Sequence, residues 1–544
     1  MKNGFHILPA SGARWNLLAC LHYFALCLAA PAGAAPPAPA APLLEHREFD
    51  AMLEAAFQPP AKGESRAFIL HFTLPGAQSL SKVNWRLGLY RPDGALLHQW
   101  RGRHAMLGDS GQVRISWRAP SKLAAGIYEL RMQAGNVRQQ RPIAIGEPAL
   151  LIPPAAAANG AARSTARLAG LDVDIIYGNL HSQTNHSDGG GDPGQCHGAQ
   201  EPRSGAFGPE DAFEFARQHG LDFLMASEHN HMYDGSDGSD PAADPQAARQ
   251  LYRLGLQSAE QFNASHPGFV AMYGMEWGVI SGGGHLNIFN SPALLGWERN
   301  SNGEPFEDVV TPKSDYAALY RLMNEQGWIG QFNHPNTSQF PIDGKPLAFN
   351  TEGGNVMALC EVMNTNAFSS RLDEGEPRHS FYEEACGKLL EAGYRLAFSS
   401  DQDNHCANWG AAYGNRTGIL LPAGTAPTMD ALLGAIRARH VFATMDKHGA
   451  IALTANGKLM GAQFDSRGPL KLQVHFNSTS GRGVAAVTIM EGVPGRRGEV
   501  KPLPGVKGLR HIIKPKRGPH FYYARITQDD GKQLWSAPVW INQR

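Results

Sequence analysis

Five polar residues in the middle of the chain each stand just after an apolar run. They are His181, His229, Glu276, His334 and Asp401. The runs before them read as strands: Val173 to Tyr177, Leu221 to Ala226, Phe269 to Met275, Trp328 to Phe332 and Tyr394 to Ser399. One histidine after a strand usually reflects packing. Five strand ends bearing His, Glu or Asp are hard to explain that way. Neutral imidazoles and carboxylates are the ligands of zinc, manganese and iron. A mixed cluster can hold divalent ions that lower the pKa of a water and polarise the bond to be cut. So many such groups converging without a cation would be costly to bury.

A frame that brings strand ends to one side is therefore needed. From about 171 to 449 the chain alternates strand and helix. Pro209 to His219 is an amphipathic helix stopped by Gly220, Phe381 to Glu391 a helix stopped by Gly393, and Thr428 to Arg439 a last helix. Val356 to Val362 is a strand carrying Glu361. Repeated βα units predict an α/β barrel or an open parallel sheet, with the site at the C-terminal ends of the strands. On either side the rhythm changes. Residues 35–147 hold short alternating runs, such as Ala67 to Phe72 and Gly126 to Met132, and residues 450–544 hold Leu470 to Phe476 and Phe521 to Ile526. Each flank predicts a small β-sandwich. Residues 148–170, rich in Ala and Pro, read as a linker. The basic excess of the C-terminal flank reads as a solvated face.

The motifs around these residues resemble those of the PHP (polymerase and histidinol phosphatase) superfamily. Asn179-Leu180-His181-Ser182-Gln183-Thr184 with Ser187-Asp188-Gly189 resembles its first motif, and Ser227-Glu228-His229-Asn230 its second. Gly274-Met275-Glu276, Asn333-His334-Pro335 and Ser400-Asp401 look like the later ones. The resemblance covers about residues 171 to 445. It implies a distorted (β/α)7 TIM-like barrel with a centre of two or three divalent ions (Zn, Mn or Fe) and metal-dependent phosphoester hydrolysis. It implies metal ligands at His181, Asp188, His229, Glu276, His285, His334, Asp401 and His405, with Glu276 bridging two ions. The family pattern ends in Asp-x-His, and counted from Asp401 the histidine, His405, falls two places late. The family also has a histidine where this chain has Gln183. A glutamine oxygen binds a hard cation weakly, so the third ion depends on that position. His186 and His197 are the nearby imidazoles that could compensate. Asp401, His334 and His405 are the expected catalytic groups, with His334 or His405 protonating the leaving group. Glu228, Glu361, His186 and Asn230 are expected to orient ligands or touch substrate. His231, Asp403 and Asn404 are candidates of lower rank at the same rim.

The N-terminus reads as an export signal. Lys2 and Arg14 precede the apolar run Leu17 to Ala30, and an A-x-A site ends at Ala34. That predicts a cleaved signal peptide over 1–34, a periplasmic or extracellular mature protein, and no membrane span after it. Four cysteines then remain. Cys196 and Cys406 lie near site residues and could form a bridge, whereas Cys360, in an apolar run, reads as a buried thiol. Lys plus Arg number 49 and Asp plus Glu 49, so the formal net charge is zero, which argues against a nucleic-acid partner. The glycine run 282–284 lacks the Lys-Ser/Thr of a phosphate loop, and no Gly-x-Ser-x-Gly elbow is present. An export signal with sandwiches around the barrel resembles the exported PHP branch that includes carbaryl hydrolases. The expected substrate is a small-molecule or polymer ester, a phosphoester first. Carboxyl-ester or carbamate cleavage is the alternative, and the rival from another class is a binding protein that lost activity at Gln183.

Overall fold

The computed structural model describes residues 49–544 except 62, 75–81, 107, 109, 156–166, 281–282 and 507. The expected signal peptide, the Pro/Ala stretch after it and the middle of the linker lie outside the described residues. No helix among the described residues is long and apolar enough to cross a membrane.

The first seven strands are β1 (Asp50–Ala55), β2 (Arg66–Thr73), β3 (Lys82–Tyr90), β4 (Leu96–Ala105), β5 (Ser110–Trp117), β6 (Gly126–Ala134) and β7 (Val137–Ile145). They form two antiparallel sheets, β1-β2-β5 and β4-β3-β6-β7. Alternation along each strand sends Phe68, Leu70, Leu87, Leu89, Leu130 and Ile143 into one shared core. The pair faces the rest of the chain through its last strand: the amide of Phe381 donates to Gln139 Oε1 (2.7 Å), and Arg138 pairs with Glu384.

The middle of the chain runs β8 (Val173–Asn179), α1 (Pro209–Gln218), β9 (Phe223–His229), α2 (Pro245–Ser265), β10 (Val270–Trp277), β11 (Leu286–Ile288), β12 (Leu295–Gly296), β13 (Val309–Val310) and α3 (Tyr316–Gln326). It continues β14 (Gly330–Phe332), α4 (Thr351–Val356), β15 (Met357–Thr365), β16 (His379–Phe381), α5 (Glu383–Ala392), β17 (Ala397–Asp401), β18 (Arg416–Pro422), α6 (Met429–Ala438) and β19 (Val441–Thr444). The helix starts follow local chemistry. Pro209 and Pro245 occupy first-turn positions, and Asp244, Asp315 and Thr428 accept backbone N–H groups as caps. α3 stops at Gly327, whose φ of 69° places it in the left-handed region.

The expected (β/α)7 TIM-like barrel does not form. The described residues hold 29 strands and six helices, and the strands of the middle region, apart from the β12-β13 pair, join a mixed sheet of 16 strands. β8, β9 and β10 are parallel, as are β14, β15 and β17, but β11 is antiparallel to both β10 and β14. On the other side β18 runs antiparallel to β8, and β19 antiparallel to β18. The reason is the length and composition of the connections. A parallel neighbour needs a crossover of roughly a dozen residues or more. Residues 278–285, rich in glycine, are too few for one, so the chain returns antiparallel.

The sheet also runs on past β19. The last third supplies β20 (Gly449–Ala455), β21 (Lys458–Leu459), β22 (Gln463–Ser466), β23 (Leu470–Ser478), β24 (Val484–Gly492), β25 (Lys501–Pro502), β26 (Arg510–Ile513), β27 (Gly518–Gln528), β28 (Gln533–Trp535) and β29 (Val539–Gln543). β28 pairs with β19, which joins β27, β24 and β29 to the same sheet. A separate sheet, β21-β20-β23-β26, stacks against it. Their shared core takes in Ile451, Leu453, Leu472, Val474, Ile489 and Ile526 together with Ile419 and Leu420 of β18. The C-terminal strands are thus an extension of the central sheet rather than a free-standing sandwich.

Candidate metal centre

Most candidate ligands are placed by a strand end. Parallel pairing of β9 with β10 sets His229 directly beside Glu276. β11 sets Asn287 on the other side of Glu276, with His285 just before it. His181 follows β8, Asn333 and His334 follow β14, and Glu361 lies on β15. Asp401 ends β17 and leads into the loop carrying Asp403 and His405. His334 and Asp403 both have left-handed backbones, with φ of 26° and 61°. Such conformations persist only where the surroundings fix them. Here the amide of His334 donates to Glu361 Oε2 (2.6 Å), and that of Asp403 to the carbonyl of His181 (2.9 Å).

Three groups of potential ligands result, each with its donor atoms within 4.8 Å of one another. In the first, His181 Nε2 lies 3.1 Å from Asp403 Oδ1, and His334 joins them. In the second, Glu276 faces His285 Nδ1 at 3.1 Å and His229 Nδ1 at 3.4 Å. In the third, Asp188 Oδ1 faces His405 Nε2 at 3.4 Å and His229 Nε2 at 3.7 Å. Glu276 links the groups, because its Oε1 is also 3.1 Å from His181 Nε2 and 3.2 Å from His334 Nε2. His229 belongs to two groups, one ring nitrogen toward each.

The electrostatics follow from burial. Glu276 is fully buried, which opposes its charge, yet His181, His285 and His229 hold it well below the usual carboxylate range. Burial opposes protonation of His405 and His334 too. Asp188 and Asp403 nevertheless raise His405 to about 9, and Glu276, Glu361 and Asp403 raise His334 to about 9. His181 rises well above its ordinary value against the same burial penalty, driven by Asp403, Glu276 and Glu361. The pocket therefore favours positive charge at its centre.

A divalent ion fits these residues. Two ligands held about 2.1 Å from one ion sit roughly 3.0–3.4 Å apart, and most of the spacings above fall near that range. Asp188, Glu276 and Asp403 would otherwise put three carboxylates, 3%, 0% and 13% exposed, in a small volume with only imidazoles to balance them. Asp188 Oδ1 is buried without a hydrogen-bond partner among the described residues.

The remaining expected site residues sort by contact. Asp401 stands outside all three groups. Its Oδ1 accepts from the amide of Leu180 (2.7 Å) and from Thr417 Oγ1 (2.9 Å), and its Oδ2 from Gln331 Nε2 (3.3 Å). Asp403, ranked low from the sequence, takes the place expected of Asp401. Counted from Asp403 the spacing to His405 is Asp-x-His, and the apparent shift disappears. Gln183 is fully buried and points its amide nitrogen at Glu276 Oε2 (2.9 Å) and Asp403 Oδ1 (3.3 Å). His186 does not compensate, since its Nδ1 meets Tyr273 Oη at 2.7 Å, and His197 is exposed. Glu228 binds the turn before Asp188, accepting from the Thr184 amide and the Thr184 and Ser187 hydroxyls. Burial pushes it up to about 7 against those hydrogen bonds. Asn230 closes the chain after β10, accepting from Gly278 and donating to the Leu295 carbonyl. Asn333 has no role in the sequence pattern beyond its motif, yet its amide donates to Glu276 Oε1 and Asn287 Oδ1, both at 2.8 Å. Only its place before His334 hinted at this.

Two disulfides frame the site. Cys196–Cys406 forms as the sequence allowed, and Cys360 is bonded to Cys386 rather than free. Cys386 lies on α5, which sequence reading had not related to β15.

No protein-family model matches the chain, and no curated protein matches it. Among solved structures, a β-glucuronidase of Parabacteroides merdae aligns at 9% identity and a TM-score of 0.17, over 91% of this chain and 65% of that one. A β-glucuronidase of Bacteroides uniformis aligns at 12% identity and 0.15, over 91% and 61%. A putative β-galactosidase of Bacteroides fragilis aligns at 10% and 0.14, over 91% and 73%. The chain thus spans 61–65% of the length of the two glucuronidases, and at these scores the alignments establish neither a shared fold nor a shared activity.

Proposed function

We propose that the chain is an exported, metal-dependent hydrolase of esters, with phosphoesters as the first substrate class. One observation carries this reading: three overlapping His and carboxylate groups, linked through Glu276 and His229, buried at the ends of neighbouring strands. The order of the motifs, similar to that of PHP metallohydrolases, supports it independently of the overall fold. His181, His334 and Asp403 would hold one ion, His229, His285 and Glu276 a second, and Asp188 and His405 with His229 a third. Divalent ions bound there supply a water of lowered pKa and positive charge against the developing oxyanion.

The chain's own residues do the rest. Asp403 and His334 are the most open of these groups, at 13% and 10% exposure, so substrate enters from their side. Glu276 and Glu361 fix the ring and backbone of His334 as a ligand, and the proton for the leaving group would come from solvent on this open side. Asn333 and Gln183 keep Glu276 in place through its two oxygens.

The test is elemental analysis of full-length protein purified without chelators or a His tag, followed by turnover of bis-p-nitrophenyl phosphate, p-nitrophenyl phosphate and p-nitrophenyl acetate. Two or more equivalents of Zn, Mn or Fe with phosphoester turnover is the expected result. Preference for the acetate would move the substrate class to carboxyl esters. Absence of metal, with none taken up on reconstitution, overturns the hydrolase in favour of a binding protein.

A further inference from the structure

The third ligand group is built unlike the second, whose ligands lie on or directly beside β9, β10 and β11. His229 is fixed at the end of β9, inside the sheet. Asp188 and His405 come from segments without helix or strand, residues 180–208 and 402–415. Four backbone bonds join these segments: Gly191 to the His405 carbonyl (3.1 Å), Ala407 to the Gly191 carbonyl (2.8 Å), Gln183 to the Asn404 carbonyl (2.8 Å) and Asp403 to the His181 carbonyl (2.9 Å). The strongest tie is covalent. Cys406 directly follows His405, and Cys196 closes the loop that Asp188 opens. The two half-cystines are 2% and 0% exposed, with Cα atoms 5.8 Å apart across a sequence separation of 210. That loop is tied to Asp188, because the Gln200 amide donates to the Asp188 carbonyl and the Cys196 amide to the Asp192 carbonyl, both at 2.7 Å.

We infer that the Cys196–Cys406 disulfide is the positioning element of the Asp188–His229–His405 group, and that this group retains its ion only while the bridge is closed. The inference rests on the metal-centre reading above. Its physical basis is loop entropy. Two ligands on irregular loops, far apart in sequence, must be held within a fraction of an ångström of an ion. Opening the bridge leaves hydrogen bonds alone to do so, whereas the second group keeps ligands on or directly beside β9, β10 and β11, and His181 and Asp403 of the first stand only two residues past the ends of β8 and β17.

The experiment compares the full chain with the double variant Cys196→Ser/Cys406→Ser and with Asp188→Asn, which keeps the bridge. Each is equilibrated with Zn2+, cleared of free ion and analysed for bound zinc, with urea unfolding and near-UV circular dichroism alongside. Both variants are expected to hold one Zn2+ fewer than wild type, or to release that ion at least tenfold faster to a chelator. The double variant should keep cooperative unfolding and the wild-type aromatic spectrum. A double variant that keeps the full complement of zinc at the wild-type release rate overturns the inference and leaves the metal centre standing. Loss of cooperative unfolding also overturns it, by assigning the bridge to the fold as a whole. Wild-type protein that takes up no zinc overturns the metal reading, and the inference with it.

Discussion

Asp401 and Asp403 are two residues apart, one ending β17 and the other in the loop after it, but they face different partners. The Asp401 carboxylate accepts from Leu180, Thr417 and Gln331 and so ties β17 to the start of the His181 turn and to β18. The Asp403 carboxylate faces His181 and is partly open to the mouth of the site. Substituting each by Asn should separate the two roles. Asp403→Asn is expected to lose at least one metal equivalent and to lower turnover roughly 100-fold or more, with little change in unfolding midpoint. Asp401→Asn keeps one acceptor oxygen but sets an amide against the Gln331 amide. It should cost about 1–3 kcal/mol in urea unfolding and leave the metal content intact. The reverse pattern would return Asp401 to the centre. Gln183 offers a second residue-scale test. It fills the position where an imidazole is expected, and it spends its amide on Glu276 and Asp403. Gln183→His, of similar size, should tighten metal retention at least tenfold, read as slower release to a chelator. A looser centre would mean that the amide donor itself positions Glu276.

At the scale of elements, the chemistry was legible because it lies at the ends of short, strongly apolar strands. His181, His229, Glu276 and His334 each come at or just after a strand that the local pattern marks. The sequence pattern also places α1, α5 and α6 within a few residues of their bounds. What it does not carry is pairing. Nothing within residues 286–288 says that β11 lies antiparallel between β10 and β14; the shortness of the preceding connection decides that. Nor does the alternation in 533–535 reveal that β28 continues from β19, because the partner is distant in sequence. The helices α2 and α3 carry no candidate ligand, although Asp244-Pro245 and Asp315 are ordinary start signals. Glu383 shows how such distant elements are locked. It begins α5, and its carboxylate accepts from Tyr523 Oη (2.8 Å) and Arg525 Nη1 (2.6 Å) of β27 and from Trp535 Nε1 (3.1 Å) of β28. Glu383→Ala would leave the Arg525 guanidinium, 14% exposed, with only a longer contact of 3.7 Å to Glu129. The expected loss is about 3–5 kcal/mol, measured by urea unfolding. A loss under about 1 kcal/mol would show that Glu129 takes over the pairing.

Across the whole molecule, the two disulfides cross-link the chain at different ranges. Cys360–Cys386 spans 26 residues and ties β15, the strand of Glu361, to α5, while Cys196–Cys406 spans 210 and ties two loops over the site. Both favour an oxidising compartment, consistent with the export proposed from the N-terminal sequence. Their consequences should differ. Cys360 and Cys386 are fully buried within the main hydrophobic core and touch no candidate ligand directly, although the Cys386 sulfur lies 3.4 Å from the Glu361 carbonyl. Replacing both by Ala removes a constraint on the unfolded chain and leaves small, apolar side chains in an apolar place. For a loop of that length the chain-entropy cost is about 3.5 kcal/mol. Cys360→Ala/Cys386→Ala should therefore lower the urea midpoint by the corresponding amount, with an increased slope as the unfolded chain expands and with bound metal unchanged. An unchanged midpoint would mean that the unfolded chain is already compact around this core. A loss of metal would mean that Glu361 depends on the bridge beneath it, and that the first ligand group is as reliant on covalent support as the third.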